Sequence, residues 1–172
     1  MARLLKSSYR RQERPGWCGP AALQVLLLNE SINISQSEIA KNTFFPDWGT
    51  PHENIYSFAK KYFAGVNVYT NTTLKRLEQK LNNDKLVLAN IVTDSEDVES
   101  GHYINIQSIN LANQTMTVFD PDAVDGGILN LNTDKFVSQW FDYATEHDLR
   151  NNIKTKHWAL VIDPKTKKSP LP

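Results

Sequence analysis

The sequence predicts an α+β domain, with helices in the first half packed on an antiparallel sheet made by the second. Two patterns carry that expectation. From Cys18 to Leu81, apolar residues recur at helical spacing behind capping residues. From Lys85 onward they fall into short runs separated by polar turns. A length of 172 residues suits a single domain over 1–172, with an ordered core from about 9 to 162.

The first helix is expected to begin at Cys18. Pro20 fits a first-turn position, where its missing N–H would be unpaired in any case. Ala21, Ala22, Leu23, Val25, Leu26 and Leu27 make that helix apolar on more than one side. Ser35 with Glu38, and Thr50 with Glu53, form capping-box patterns that open two further helices; the second buries Ile55, Phe58 and Ala59. Val66–Tyr69 is a strand, and Thr72 or Thr73 caps a helix carrying Leu74, Leu77 and Leu81. Lys85–Val92 is a short apolar strand. Tyr103–Ile109 and Thr115–Phe119 form a hairpin, Thr133 caps a helix with Phe136 and Trp140, and Trp158–Ile162 is the last strand. Residues 1–10 and 164–172 are expected to be loose, solvated ends.

Composition narrows the function. Lys+Arg and Asp+Glu both number 19, so no net charge favours nucleic acid or an anionic membrane. The longest aliphatic run, Leu26–Leu28, is far short of the roughly 18 residues of a membrane span. The first ten residues lack the apolar stretch of a secretory signal. One cysteine excludes an intrachain disulfide, and a free thiol suits a reducing compartment. A cytoplasmic protein without membrane insertion is expected.

Cys18 carries the chemistry. A thiol at a helix start is exposed to unpaired N–H groups and the helix dipole, which favour its anion. Gly16 and Gly19 would let a carbonyl approach the backbone, and the Cys18 amide could donate to an oxyanion. A buried, inert cysteine is the ordinary alternative, but it would not need two glycines and a proline around it. Among the four histidines, His52 suggests a capping or surface position, His147 lies in a polar run and His157 at a strand edge. His102 opens the hairpin after Gly101. With the turn flanked by Ile109 and Gln114, His102 falls opposite Asp120 or Pro121, and it shares the parity of Ile104 and Ile106 as Asp120 shares that of Met116 and Val118. A carboxylate beside the imidazole would fix its tautomer. A single bulge would break this match. Asp122 and Asp125 compete, but turn chemistry explains them. Gln12, six residues before Cys18, is the candidate oxyanion donor; neighbouring Glu13 would repel an oxyanion. Trp17 could shape a cleft, and so could Trp48 in its loop beside Gly49, but only Trp17 is placed near the site; Trp140 and Trp158 belong to apolar patterns. One cysteine with no closely spaced histidine pair makes a poor metal site.

Gln12 and the run Cys18-Gly19-Pro20-Ala21-Ala22-Leu23 resemble the opening motif of the bacteriocin-processing, double-glycine leader peptidases, papain-like cysteine peptidases often found as the N-terminal domain of ABC transporters. Gly101-His102-Tyr103 resembles that family's histidine motif and Phe119-Asp120-Pro121 its Asp-Pro motif, and Gly49-Thr50 is similar too. The resemblance spans residues 9 to about 162. It implies a papain-like fold, a catalytic set of Cys18, His102, Asp120 and Gln12, substrate contacts near Trp17 and Gly101, a peptide or protein substrate, and no cofactor. No transporter segment follows, so a stand-alone relative is expected, and Gly126-Gly127 is a turn rather than a cleavage site. Hydrolysis of a peptide or amide bond is the leading expectation; acyl or amide transfer, or peptide binding without turnover, are the alternatives.

Overall fold

The computed structural model describes residues 4–95, 98–123, 127–143, 150–151 and 153–168. It has the expected mixed architecture, with antiparallel pairing throughout the sheets. The helices are α1 (Cys18–Asn29), α2 (Gln36–Thr43), α3 (His52–Tyr62), α4 (Leu74–Asn82) and α5 (Thr133–Gln139). The strands are β1 (Val66–Tyr69), β2 (Leu86–Ser95), β3 (Val98–Asn110), β4 (Thr115–Phe119), β5 (Ile128–Asn132), β6 (Phe141–Asp142), β7 (Thr155–Lys156) and β8 (Ala159–Ile162). Six strands form one sheet in the order β1-β8-β2-β3-β4-β5, and β6 pairs with β7 separately.

Helices cover both faces of the sheet. Alternation along the strands explains it. Leu86, Leu88, Tyr103, Phe119, Leu160 and Ile162 join the core under α1, α2 and α3. Val87, Ala89, Ile104, Ile106, Val118 and Val161 face the opposite core, closed by Leu77 and Leu81 of α4 and Phe136 of α5. Central strands therefore carry apolar residues at both parities.

α1 lies in the first core, with every residue from Cys18 to Leu27 buried. Each buried leucine contributes about 1.5–3 kcal/mol. Its one buried amide side chain is satisfied: Gln24 Nε2 donates to the Ile34 carbonyl at 2.8 Å, and Gln24 Oε1 accepts from Gln36 Nε2 at 3.1 Å.

The caps divide. Ser35 accepts from the Glu38 N–H and Thr73 from the Arg76 N–H, as the sequence suggests. α5 is capped by Asn132 instead of Thr133, with Oδ1 accepting from the N–H groups of Asp134 and Lys135. The Thr50–Glu53 box does not form. Pro51 holds the N-cap of α3, and Thr50 is drawn off by tertiary packing against Gly19.

The ends differ from expectation as well. Leu4 is buried in the first core, and its carbonyl accepts from Gln107 Nε2 at 3.0 Å. Pro164–Thr166 forms a 3-10 turn capped by Asp163, and Lys168 Nζ donates to the Lys60 carbonyl. Hydrogen bonds formed across the fold, invisible to local composition, hold both segments.

One glycine follows directly from this packing. Gly127 has φ +67°, and a Cβ there would lie 1.8 Å from the Tyr9 ring. Its carbonyl accepts from the Asp120 N–H at 2.7 Å. Gly127→Ala is expected to cost at least about 1–3 kcal/mol through overpacking, with backbone strain added. Urea unfolding of the variant checks this; a wild-type midpoint would contradict the close Tyr9 contact.

Candidate active site

Cys18 is the first residue of α1. The preceding turn closes through the Trp17 N–H on the Arg14 carbonyl at 3.1 Å, with Gly16 at φ +77° against the Phe44 ring. Trp17 is the N-cap and provides no side-chain cap, so the first-turn N–H groups have no capping side chain of their own. Those groups and the helix dipole favour an anion at this end. The cysteine is 8% exposed.

His102 and Asp120 meet as the sequence predicts, by a different register. Near the turn Asn110 pairs with Thr115 and Ile109 with Met116. Continued unchanged, that register would put His102 and Asp120 out of phase. The ladder shifts between Ile106 and Ser108, so that Ile106 pairs with Val118 and Asn105 with Phe119. Gln107 is the extra residue, and the bulge restores the parity it was expected to destroy. Asp120 follows the end of β4 and sits diagonal to His102 instead of opposite it. His102 Nε2 lies 2.7 Å from Asp120 Oδ1. The Cys18 side chain lies close enough to the imidazole to favour its charged form.

The electrostatics follow from these contacts. Burial disfavours charge on His102, but the Asp120 hydrogen bond, the Cys18 contact and the charges of both outweigh it and push the imidazole up to about 10. Burial likewise works against the Asp120 carboxylate. The His102 hydrogen bond and charge, with the N–H groups of Asp122 and Ala123, hold it below its ordinary range. The pair is thus arranged as imidazolium and carboxylate, with the Cys18 side chain nearby. A cation beside a thiol favours the thiolate.

The chain around Gln12 is fixed from three directions. The Gln12 N–H donates to the Pro121 carbonyl at 2.8 Å, and Gln12 Nε2 donates to Asp122 Oδ1 at 3.1 Å. Gln36, 1% exposed, grips both neighbours: its Nε2 donates to the Arg11 carbonyl at 2.8 Å and its Oε1 accepts from the Glu13 N–H at 2.9 Å. Tyr9 Oη lies 3.2 Å from the Asp120 carbonyl oxygen and 3.1 Å from that of Ala123. Tyr9 and Gln36 thus position the site, and sequence reasoning missed both. Their contacts span more than twenty residues of chain, so no local pattern announces them. Asp122 serves the turn, donating its N–H to Asp120 Oδ1 at 2.9 Å; Asp125 and His147 lie outside the described residues.

His52 departs from its surface expectation. It stacks on Trp158 at 4.2 Å between ring centres, and its Nε2 lies 3.3 Å from Asp142 Oδ2. Asp142 also explains Gly101, where a Cβ would lie 2.8 Å from the carboxylate. Trp17 is 8% exposed and packs edge-on against Phe44 at 6.3 Å. His157 is less free than a strand-edge residue, with Nδ1 2.9 Å from the Thr72 carbonyl oxygen. A groove of about 420 Å³ lies between α3 and β1, lined among others by His52, Tyr56, Val68 and Trp158; Cys18 is not among its lining residues. Among the described residues no group of three or more His, Cys, Asp or Glu side chains is placed to hold a metal ion, and no helix is long and apolar enough to cross a membrane.

Comparison with known proteins gives a consistent picture. The model of the Peptidase_C39 like family matches residues 4–147. No curated protein matches the chain. Among solved structures, a Bacillus anthracis chain assigned as a C39-like peptidase is similar, with a TM-score of 0.68 at 13% identity over 98% of both chains. The peptidase domain of Streptococcus ComA, a bifunctional ABC transporter of a quorum-sensing pathway, gives 0.62 at 18% identity, covering 94% of this chain and 98% of that one. A double-glycine-motif protease of an AMS/PCAT transporter, solved with its leader peptide, gives 0.59 at 11% identity, covering 92% and 89%. At these identities the likeness is one of fold.

The charge pair predicts a pH dependence of stability. His102 is raised from 6.5 to about 10, so its contribution is complete below 6.5 and is lost as pH climbs toward 10. Asp120 is lowered from 3.8, so its contribution is present above that value and is lost as pH falls through the lowered one. The melting-temperature difference between wild type and Asp120→Asn is therefore expected to be largest between pH 3.8 and 6.5 and to shrink toward pH 10. A difference that is flat, or that grows at alkaline pH, would contradict the pairing.

Proposed function

The chain belongs to the Peptidase_C39 like family, and from that premise we propose that it hydrolyses a peptide or amide bond with Cys18, His102, Asp120 and Gln12. The observation that carries the reading is the 2.7 Å contact of His102 Nε2 with Asp120 Oδ1, on an imidazole whose charged form the nearby Cys18 side chain also favours.

The steps follow from the chemistry of those groups. The Cys18 sulfur attacks the carbonyl carbon, and the oxygen becomes an oxyanion. The Cys18 amide, at a helix start, donates to it. Gln12 donates a second hydrogen bond: Asp122 takes one of its two amide N–H groups and leaves the other for the oxyanion. The His102 imidazolium gives its proton to the leaving amine as the C–N bond breaks, leaving a thioester. Neutral His102 then takes a proton from water, which attacks the thioester and releases the acid and Cys18. Asp120 holds the ring and stabilises its charged form without being protonated. Trp17 and Gly101, one residue before Cys18 and His102, border the reacting bond. The leader peptide bound in the AMS/PCAT protease supports a peptide as the substrate here, and a lone reduced thiol supports work in the cytoplasm.

The test is cleavage of a proteome-derived peptide library, read by labelling new N-termini. Wild type is expected to generate termini that Cys18→Ala does not. Equal products from both would overturn the reading. On a peptide so found, Gln12→Ala is expected to lower kcat by about 10²–10³. A change confined to KM would remove Gln12 from the oxyanion hole.

A further inference from the structure

The segment between α2 and α3 presents two aromatic side chains that the fold does not bury. Phe45 is 54% exposed and Trp48 37%. They stand on a turn closed by backbone bonds between Phe45 and Gly49, each N–H donating to the other's carbonyl at 2.7 Å, with the Trp48 N–H on the Phe45 carbonyl at 3.2 Å. Gly49 takes φ +89° with open space where a Cβ would be, so that glycine serves the turn and not packing. Side chains this exposed gain little from burial. Rigidly held aromatic groups suit binding, because the cost of ordering their backbone is met on folding.

The turn is fastened at both ends to the residues around Cys18. Before it, the Phe44 ring covers Gly16, where a Cβ would lie 3.3 Å away, and packs on Trp17 at 6.3 Å. After it, Thr50 packs on Gly19, where a Cβ would lie 2.7 Å away, and the Thr50 carbonyl accepts from Tyr103 Oη at 2.8 Å. Phe45 is thus one residue, about 3.8 Å of chain, beyond a direct contact with the turn that presents the nucleophile. We infer that Phe45 and Trp48 form an apolar rim of the cleft that receives an apolar side chain of the peptide attacked by Cys18. This rests on the proposed peptidase reading. The sole ionisable residue of the turn is Asp47, so the rim selects apolar over acidic side chains. Continuity with the Cys18 turn favours the substrate as occupant over a second copy of the chain or a lipid surface.

Two arms separate this inference from the reading beneath it. In the binding arm, Cys18→Ala, with and without Phe45→Ser and Trp48→Ser, is presented with an immobilised peptide library. The intact rim is expected to enrich peptides bearing Leu, Met or Phe, and the double substitution to weaken their capture about tenfold or more. In the turnover arm, the same pair of rim substitutions in an active background is expected to lower kcat/KM on apolar peptides while iodoacetamide still labels Cys18 at the wild-type rate. Rim-dependent binding without cleavage in the active background would sink the peptidase reading and retain the rim. Cleavage with a side-chain preference unchanged by the rim substitutions would overturn the rim. So would self-association or vesicle binding abolished by those substitutions with peptide capture intact.

Discussion

α1 presents no exposed residue from Cys18 to Leu27, and this constrains every other part of the site. A helix buried on all sides cannot slide or rotate without opening cavities, at about 2–5 kcal/mol for each large side chain lost from its place. Its register on β3 is pinned by Asn105 Nδ2, which donates to the Ala22 carbonyl at 3.2 Å. One turn earlier lies Cys18. On β3, beyond the last β3–β4 pair of Asn105 with Phe119, lies His102. The helix is anchored where the ladder is still paired, and Cys18 falls where it has ended.

The site places charge in a buried setting, which is costly unless partners compensate. His102 is 9% exposed, yet the Asp120 hydrogen bond and the Cys18 contact keep it charged. The carboxylate in turn depends on the Asp122 and Ala123 N–H groups. That turn is held by Gly127, Tyr9 and Gln12. A chain of hydrogen bonds therefore runs from the N-terminal segment through the carboxylate to the imidazole. Gln36 ties the same segment to α1 through Gln24. Positioning of Gln12 and of Asp120 is one problem with one structural answer, and it uses Tyr9, from the stretch the sequence suggested was loose.

What the sequence disclosed was local or periodic. Pro20 and the apolar run after it mark the start and burial of α1. Alternation in Tyr103–Ile109 and Thr115–Phe119 marks the hairpin, and parity alone puts His102 and Asp120 in phase. The register inferred from a symmetric turn was two residues off at His102. The structure reaches the right phase only through the bulge at Gln107, whose side chain instead serves the Leu4 carbonyl. Features set by distant contacts were illegible. Thr50 looked like a cap, but Gly19 claims it. His52 looked like a surface residue, but Trp158 and Asp142 enclose it. β5 completes the sheet from Ile128–Asn132, whose run is too short and polar to announce a strand.

The central claim is that a charged imidazole is held against the Cys18 sulfur and makes it reactive. The most direct measurement is the rate of iodoacetamide alkylation of Cys18 across pH, in wild type and in His102→Ala. Alkylation of wild type that is faster than that of His102→Ala at neutral pH, where a free thiol stays largely protonated, is the predicted result. Wild-type and variant rates that coincide across the pH range would contradict it.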